Sequence, residues 1–140
     1  MNADADCIFC KILGGDIPSF KIYEDDKTFA FMDINPANAG HVLVIPKYHS
    51  PNIFEIPNDW LAATAATAKR IAKAVEKALS PEGINIVQAN GEGAAQSVQH
   101  FHIHVLPRHN GDELKLNWGL NPGDMDEIGA IAEKIKAAVD

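Results

Sequence analysis

Between residues 99 and 107 the chain reads Gln99-His100-Phe101-His102-Ile103-His104-Val105-Leu106-Pro107, three histidines alternating with three large apolar residues. A period of two marks a half-buried β-strand, on which successive side chains point to opposite faces. His100, His102 and His104 are therefore expected on one face, and Phe101, Ile103 and Val105 on the other. The apolar face has a core to pack against. The histidine face is left for chemistry, because His is not enriched in strands and imidazole is the side chain poised nearest neutral pH. At ~3.3 Å per residue, His100 and His104 stand roughly 13 Å apart along the strand. Zinc takes nitrogen ligands at about 2.0–2.1 Å, so the three cannot serve one metal. Either an i, i+2 pair binds a metal, or one histidine works as a nucleophile or acid–base group. A metal enzyme built on His102 and His104 would want a Glu soon after, and none comes before Glu113.

A second pattern stands near the start. Cys7-Ile8-Phe9-Cys10 is C-x-x-C and contains the only two cysteines. The pair reads as a disulfide, a redox dithiol, two reduced and partly buried thiols, or half of a zinc site. A tetrahedral zinc needs two further ligands. His49, in the loop after a strand, and His100, at the start of the triad strand, are the histidines shortlisted to supply them.

With 140 residues the chain is expected to form one domain, burying roughly two thirds of its unfolded surface. A formal net charge of −7 argues against non-specific binding to nucleic-acid backbones. An anionic substrate must then be held by local donors such as backbone amides, His and Ser. No apolar run reaches membrane-spanning length, and the acidic Met1-Asn2-Ala3-Asp4-Ala5-Asp6 lacks the features of a signal peptide. A soluble, cytoplasmic protein with no membrane or nucleic-acid partner is expected. No Walker-type loop and no carboxylate cluster is present, so no catalytic Mg²⁺ is expected.

The remaining patterns place the elements. Asp6 is expected to cap a short helix carrying Phe9, Ile12 and Leu13, stopped by Gly14-Gly15. Strands are expected over 21–23 and 28–32 around the turn Glu24-Asp25-Asp26-Lys27, and a central, nearly all-apolar strand over 41–46. A long helix over 58–79, capped by Asn58, repeats Leu61, Thr64, Ala65, Ala68, Ile71, Ala72, Val75 and Leu79 at helical spacing. Lys69, Arg70, Lys73 and Lys77 make its wet face, and its many alanines allow close approach of a second subunit. A fourth strand is expected over 84–88, followed by a loop of small residues whose backbone N–H groups suit an anion. Asp33, directly after an apolar strand, suits a ribose diol or caps Asn35-Pro36. A C-terminal helix over 124–139 opens with Asp124 and Glu127 as a capping pair. Its apolar stripe is Met125, Ile128, Ile131, Ile135 and Val139.

The run His100-Phe101-His102-Ile103-His104-Val105-Leu106 resembles the histidine triad motif, His-φ-His-φ-His-φ-φ, of the HIT family of nucleotide hydrolases and transferases. Cys7-Ile8-Phe9-Cys10-Lys11-Ile12, Phe31-Met32-Asp33-Ile34-Asn35-Pro36, Gly40-His41-Val42-Leu43-Val44-Ile45-Pro46-Lys47, Asn90 and Gln96-Ser97-Val98 are similar to its Hint-like (histidine triad nucleotide-binding) branch. The resemblance covers about residues 7–107. It implies an α+β fold: a five-stranded antiparallel sheet packed with the long helix and the C-terminal helix. It also implies a homodimer that pairs through the long helix and the following strand and so extends the sheet.

For function the resemblance implies a hydrolase acting on the α-phosphate of purine nucleoside 5′-phosphoramidates (AMP or GMP derivatives, including aminoacyl-adenylates). His102 would be the nucleophile, passing through a nucleotidyl-histidine intermediate. His104 would stabilise the phosphoryl oxygens and His41 the neighbouring charge. Gln96 and Ser97 would reach the phosphate and leaving group, Asn90 the phosphate or nucleotide, and Asp33 the ribose hydroxyls. Phe9, Ile12, Ile17 and Ile34 would wall the purine. Cys7, Cys10, His49 and His100 would hold a structural zinc, as in bacterial members. The family's other main branch cleaves dinucleoside polyphosphates, and Pro107-Arg108 after the triad also occurs there. A catalytically weak nucleotide-binding protein is the remaining reading. Two features depart from the pattern. Relatives often carry Gly where Ala95 stands, in a loop that looks one residue shorter than in eukaryotic members. The segment around Trp118 does not align with the eukaryotic C-terminal tail.

Overall fold

A computed structural model describes residues 2–140. The elements in chain order are α1 (Ile8–Leu13), β1 (Lys21–Glu24), β2 (Thr28–Met32), β3 (Val42–Pro46), α2 (Asn58–Leu79), β4 (Gly83–Val87), β5 (Ile103–Arg108) and α3 (Met125–Ala138), with a single 3₁₀ turn at Glu92–Ala94. The strands form one antiparallel sheet in the order β1-β2-β3-β5-β4.

Strand alternation divides the apolar residues between two layers. Ala30, Val42, Val44, Phe101, Ile103 and Val105 pack against Ile56, Ala68, Ile71 and Val75. Of the stripe expected of the long helix, Ala68, Ile71 and Val75 are buried in this layer with Leu61 and Ala72 packed against it, while Ala65 and Leu79 are exposed; burying a Val or Ile side chain there is worth about 1.5–3 kcal/mol. On the opposite face Phe29, Phe31, Leu43 and Ile45 pack with Cys7 and Phe9, flanked by Ile12, Leu13 and Val98. The register sets Leu43 opposite His104, so His104 projects on the face away from α2. That face carries the functional residues.

Three expectations about local structure are corrected. β5 starts only at Ile103, so His100 and His102 lie in the extended lead-in rather than in the ladder. Phe101 N–H donates to Ser50 O at 2.7 Å there, a single tie to a loop in place of strand pairing. The cap of α1 is Cys7, whose sulfur accepts from the Cys10 N–H at 3.4 Å; Asp6 is tied instead to Asp4 Oδ1 through its own N–H at 2.8 Å. The cap of α2 is Pro57, and Asn58 is the first helical residue.

Strand ends shift by one residue at 21–23, 41–46 and 84–88, within the fraying that bounds of this kind carry. Asp124 does cap α3, accepting from the N–H groups of Asp126 and Glu127. None of that helix is buried, however, and Ile128, Ile131 and Ile135 remain about half exposed. The C-terminal helix therefore does not pack on the sheet within one chain, contrary to the expected arrangement.

Gly40 is a position where only glycine serves. Its φ is +91°, and a Cβ would lie 2.5 Å from Leu79 Cδ1 and 3.1 Å from Pro107 Cγ. The end of α2 thereby packs directly behind the entry to β3, next to His41.

Candidate active site

Three histidines and one carboxylate meet on the open face of the sheet. His102 is buried and lies beneath α1, where the Phe9 ring meets it edge-on with centroids 5.2 Å apart. His102 Nδ1 sits 2.7 Å from the carbonyl oxygen of His100. A carbonyl only accepts, so Nδ1 carries the proton and Nε2 holds the lone pair. No buried side-chain nitrogen or oxygen among the described residues lacks a partner. Nε2, which has no partner in the protein, therefore reaches the cleft that His102 lines.

The neighbouring pair is fixed in the same manner. The Ala37 N–H donates to His41 Nδ1 at 3.1 Å, so neutral His41 carries its proton on Nε2. That nitrogen lies 2.8 Å from His104 Nδ1 and 3.6 Å from Asp33 Oδ2. His41 thus donates to His104 Nδ1, and neutral His104 turns an Nε2–H donor to the cleft. Burial pushes the pKa of His102 down, opposed by the His100 carbonyl and the charge of Asp33. Burial also lowers His41, and it takes His104 to about 4, helped by His102 and His41. All three are neutral at pH 7. The arrangement presents a nucleophilic nitrogen and, one ring away (centroids 4.9 Å apart), a hydrogen-bond donor.

The cleft has a volume of about 450 Å³, and Phe9, Ile12, Ile17, Asp33, Ile34, Ser97, His102 and His104 line it. One oxygen of Asp33 accepts from the Asn35 N–H at 2.8 Å, which makes the turn anticipated there, while the residue still borders the cleft. His41 stands behind His104 and reaches the cleft only through it. Asn90 and Gln96 do not line it. Asn90 exchanges amide hydrogen bonds with Gln88 and accepts from the Ile53 N–H, and Gln96 ties Gly91, Pro51 and Val98 together. Phe31, Leu43 and Val98 also wall the cleft. The alternation of β2 and β3 carried the signal for the first two, since Phe31 and Leu43 share a face with His104. Val98 stood in the Gln96-Ser97-Val98 stretch without an assigned role, and nothing in the sequence pointed to Ala37. A larger and more open recess, about 520 Å³, lies beside Arg108 at the opposite end of β5, and no triad residue borders it.

A family model described as the HIT domain matches residues 14–111. This chain belongs to the HIT family. The HIT chain is 39% identical to an adenosine 5′-monophosphoramidase of Candida albicans over 141 residues, 97% of this chain and 93% of that protein. Its fold matches the crystal structure of a Streptococcus mutans protein with a TM-score of 0.93 at 41% identity, covering 99% and 88% of the two chains. It also matches a Zn-bound histidine triad family protein from Mycobacterium smegmatis, with a TM-score of 0.75 at 38% identity over 96% and 98% of the chains.

A second cluster of this HIT chain fits a tetrahedral zinc. Cys7, Cys10, His49 and His100 each offer a ligand atom, all within 4.8 Å of one another, and both cysteines are free thiols. The separations are 3.4 Å for Cys7 Sγ to His100 Nδ1, 3.4 Å for Cys10 Sγ to His49 Nδ1, 3.6 Å for Cys10 Sγ to His100 Nδ1, and 3.2 Å between the two Nδ1 atoms. Tetrahedral Zn–S and Zn–N bonds of about 2.3 and 2.0–2.1 Å imply ligand–ligand distances of about 3.3 Å between two nitrogens, rising to about 3.8 Å between two sulfurs. The outer nitrogens complete the match. His100 Nε2 donates to Pro46 O at 2.9 Å, and His49 Nε2 faces Asp4 Oδ2 at 3.7 Å. An acceptor behind each ligand imidazole turns its lone pair toward the metal. His100 is fully buried and its pKa is depressed to about 4, chiefly by burial, so it stays neutral and able to ligate.

Proposed function

We propose that this HIT-family nucleotide hydrolase cleaves purine nucleoside 5′-phosphoramidates, with His102 as the nucleophile and a nucleotidyl-histidine intermediate. The observation that carries the reading is the hydrogen bond from His102 Nδ1 to the His100 carbonyl, 2.7 Å, which leaves a neutral imidazole with its Nε2 lone pair at the cleft. In-line attack by Nε2 on the α-phosphorus forms the His102–P bond as the P–N bond to the amine breaks, and the amine leaves with a proton taken from solvent, which the water of the second step gives back. Water then attacks the phosphorus, releasing the nucleoside monophosphate and neutral His102. His104 Nε2–H supplies a preorganised donor to a phosphoryl oxygen. His41 holds His104 in the required tautomer, and it is a positioning residue in this scheme.

Ser97, on the cleft wall, contacts the leaving group, and Asp33 takes the ribose hydroxyls. Phe9, Ile12, Ile17 and Ile34 enclose the base. Asn90 and Gln96 act by shaping the loop that presents Ser97. Similarity to the Candida albicans adenosine 5′-monophosphoramidase supports this substrate class. Dinucleoside polyphosphate cleavage is less well supported, because Arg108 lines the recess at the other end of β5 and does not border the cleft that would hold a second phosphate. Its guanidinium is engaged by Asp112, Asn85 and the Leu114 carbonyl.

Cys7, Cys10, His49 and His100 would hold a structural zinc, which supplies folding energy and no step of the reaction. A homodimer formed along the outer edge of β4 completes the reading; that edge is unpaired within the chain, and Ile86 on it is half exposed. No helix among the described residues is long and apolar enough to cross a membrane, consistent with a cytoplasmic enzyme.

The decisive test is turnover of adenosine 5′-monophosphoramidate by wild type and His102→Ala, with intact mass taken after a rapid quench that avoids acid. Wild type should hydrolyse it and carry an AMP-sized adduct. His102→Ala should lose at least a thousandfold in kcat, roughly the cost of removing a nucleophile, and carry no adduct. Retention of most of the turnover by His102→Ala would sink the mechanism.

A further inference from the structure

Two short stretches of chain each serve both the metal cluster and the nucleophile. On α1, Phe9 lies between the ligands Cys7 and Cys10, and its ring packs edge-on against both His102 (5.2 Å) and His100 (5.9 Å). In the lead-in to β5, His100 gives Nδ1 to the cluster and its carbonyl oxygen to His102 Nδ1–H. The His100 ring is therefore pinned at both nitrogens, by the cluster and by Pro46 O. The following residue is pinned by the bond from Phe101 N–H to Ser50 O. A peptide unit held in this way cannot turn its carbonyl without disturbing the ligand set. α1 has only six residues, too few to persist alone in water, so Cys7 and Cys10 hold the Phe9 wall of the cleft in place.

We propose that the Cys7–Cys10–His49–His100 cluster is a positioning device for the nucleophile. When it is filled, it sets the His102 tautomer through the His100 carbonyl and sets the cleft wall through Phe9, and metal and nucleotide bind with positive coupling. The proposal rests on the reading of His102 as nucleophile and of the cleft as a nucleotide site. With the cluster empty, only direct thiol and imidazole contacts of 3.2–3.6 Å join the four ligand residues. α1 and the His100 turn loosen jointly, and His102 Nδ1–H loses its fixed acceptor. The ring proton then exchanges between the two nitrogens, and the share of His102 with a free Nε2 lone pair falls. Coupling of this kind is reciprocal: nucleotide in the cleft must retain metal in the cluster.

Two measurements test it. In the first, zinc-loaded protein is mixed with excess chelator, and zinc loss is timed with and without saturating AMP. AMP should slow the loss about fivefold or more, the lower end of ordinary coupling between sites. Phe9→Leu, which leaves all four ligands in place, should keep its zinc content while losing much of that protection. Equal rates with and without bound AMP would overturn the proposal. In the second, long-range ¹⁵N spectra report the His102 ring. Zinc-loaded protein should show the Nδ1–H form alone, and zinc-free protein an averaged signal. A folded zinc-free protein with an unchanged His102 signal would also overturn it; if zinc-free protein unfolds, the chelator experiment decides alone. Failure of AMP to bind zinc-loaded protein would overturn the nucleotide reading instead, and the ¹⁵N spectra would still decide whether the cluster positions His102.

Discussion

The protein has two histidine clusters on one side of its sheet, and they use the same ring in opposite ways. In one, His49 and His100 turn their outer nitrogens to Asp4 and Pro46 and point Nδ1 lone pairs at two cysteine sulfurs. In the other, His41 and His104 form a chain from the Ala37 N–H through two rings to the cleft. His102 stands between them, its proton on the backbone and its lone pair outward. Residue type and burial hardly separate the two groups. What separates them is the partner of the far nitrogen. An acceptor behind the ring turns a lone pair forward, toward a metal or a phosphorus. A donor behind the ring sends a proton forward, toward an oxyanion.

Breaking one cluster should leave the other cluster's signature intact except where His100 and His102 join them. The largest effect is expected from Cys10→Ala. Zinc content should fall from about one per chain to nearly none, with a loss of several kcal/mol of stability, measured by metal analysis and thermal denaturation. A retained metal and an unchanged Tm would remove zinc from the cluster.

The next effect is on pH dependence. The folded-state pKa of His104 lies near 4 and those of His41 and His102 are lowered, against about 6.5 in an unfolded chain. Between those values the unfolded chain binds more protons, so stability rises with pH across that window and is complete above about 6.5. Tm should therefore drop as pH falls from 6.5 toward 4, and the acid limb of kcat/KM should lie below 6.5. A limb centred near 7 would mean that the nucleophile is not held neutral by burial.

A smaller effect is expected of Ala37→Pro, which deletes the N–H that orders the His41–His104 chain. Activity on the phosphoramidate should fall about tenfold, the scale of removing one orienting hydrogen bond of about 1–1.5 kcal/mol, while zinc content stays the same. The smallest is Ala95→Gly, which touches neither cluster. Ala95 has φ +60°, a left-handed conformation costing an L-residue about 1–2 kcal/mol. The glycine should raise stability by about 1 kcal/mol in denaturant titration. A loss of stability would mean that the Ala95 methyl contributes more than its backbone strain costs.

Much of the fold was legible because its signals are local. Strand alternation anticipated that Phe101, Ile103 and Val105 would share one buried face, and a 3.6 period anticipated α2 over 58–79, with its cap one residue earlier than expected, at Pro57. The triad order, the C-x-x-C and Asp33 at the end of β2 were likewise readable as candidates. Other features were not, because they depend on competition between partners that are distant along the chain. The Cys7 sulfur outcompetes Asp6 as the cap of α1 because α1 is drawn to His100 and His49. His100 and His102 leave the ladder because their rings and the His100 carbonyl are engaged elsewhere. The apolar stripe of α3 predicted a packed helix, yet none of its residues is buried. Periodicity reports that a face is apolar and says nothing of what covers it.

The sequence by itself determined which donors exist and where along the chain they stand: six histidines, two cysteines three positions apart, and a strand with one apolar face. The tertiary structure decided which donors meet and which nitrogen of each ring carries the proton. His41 meets His104 across 63 residues, and Cys7 meets His100 across 93. A tautomer is chosen by the group behind the ring, here the Ala37 amide, the Pro46 carbonyl or the His100 carbonyl. Those groups come into position only when the sheet, the loop between β2 and β3 and the lead-in to β5 are packed together.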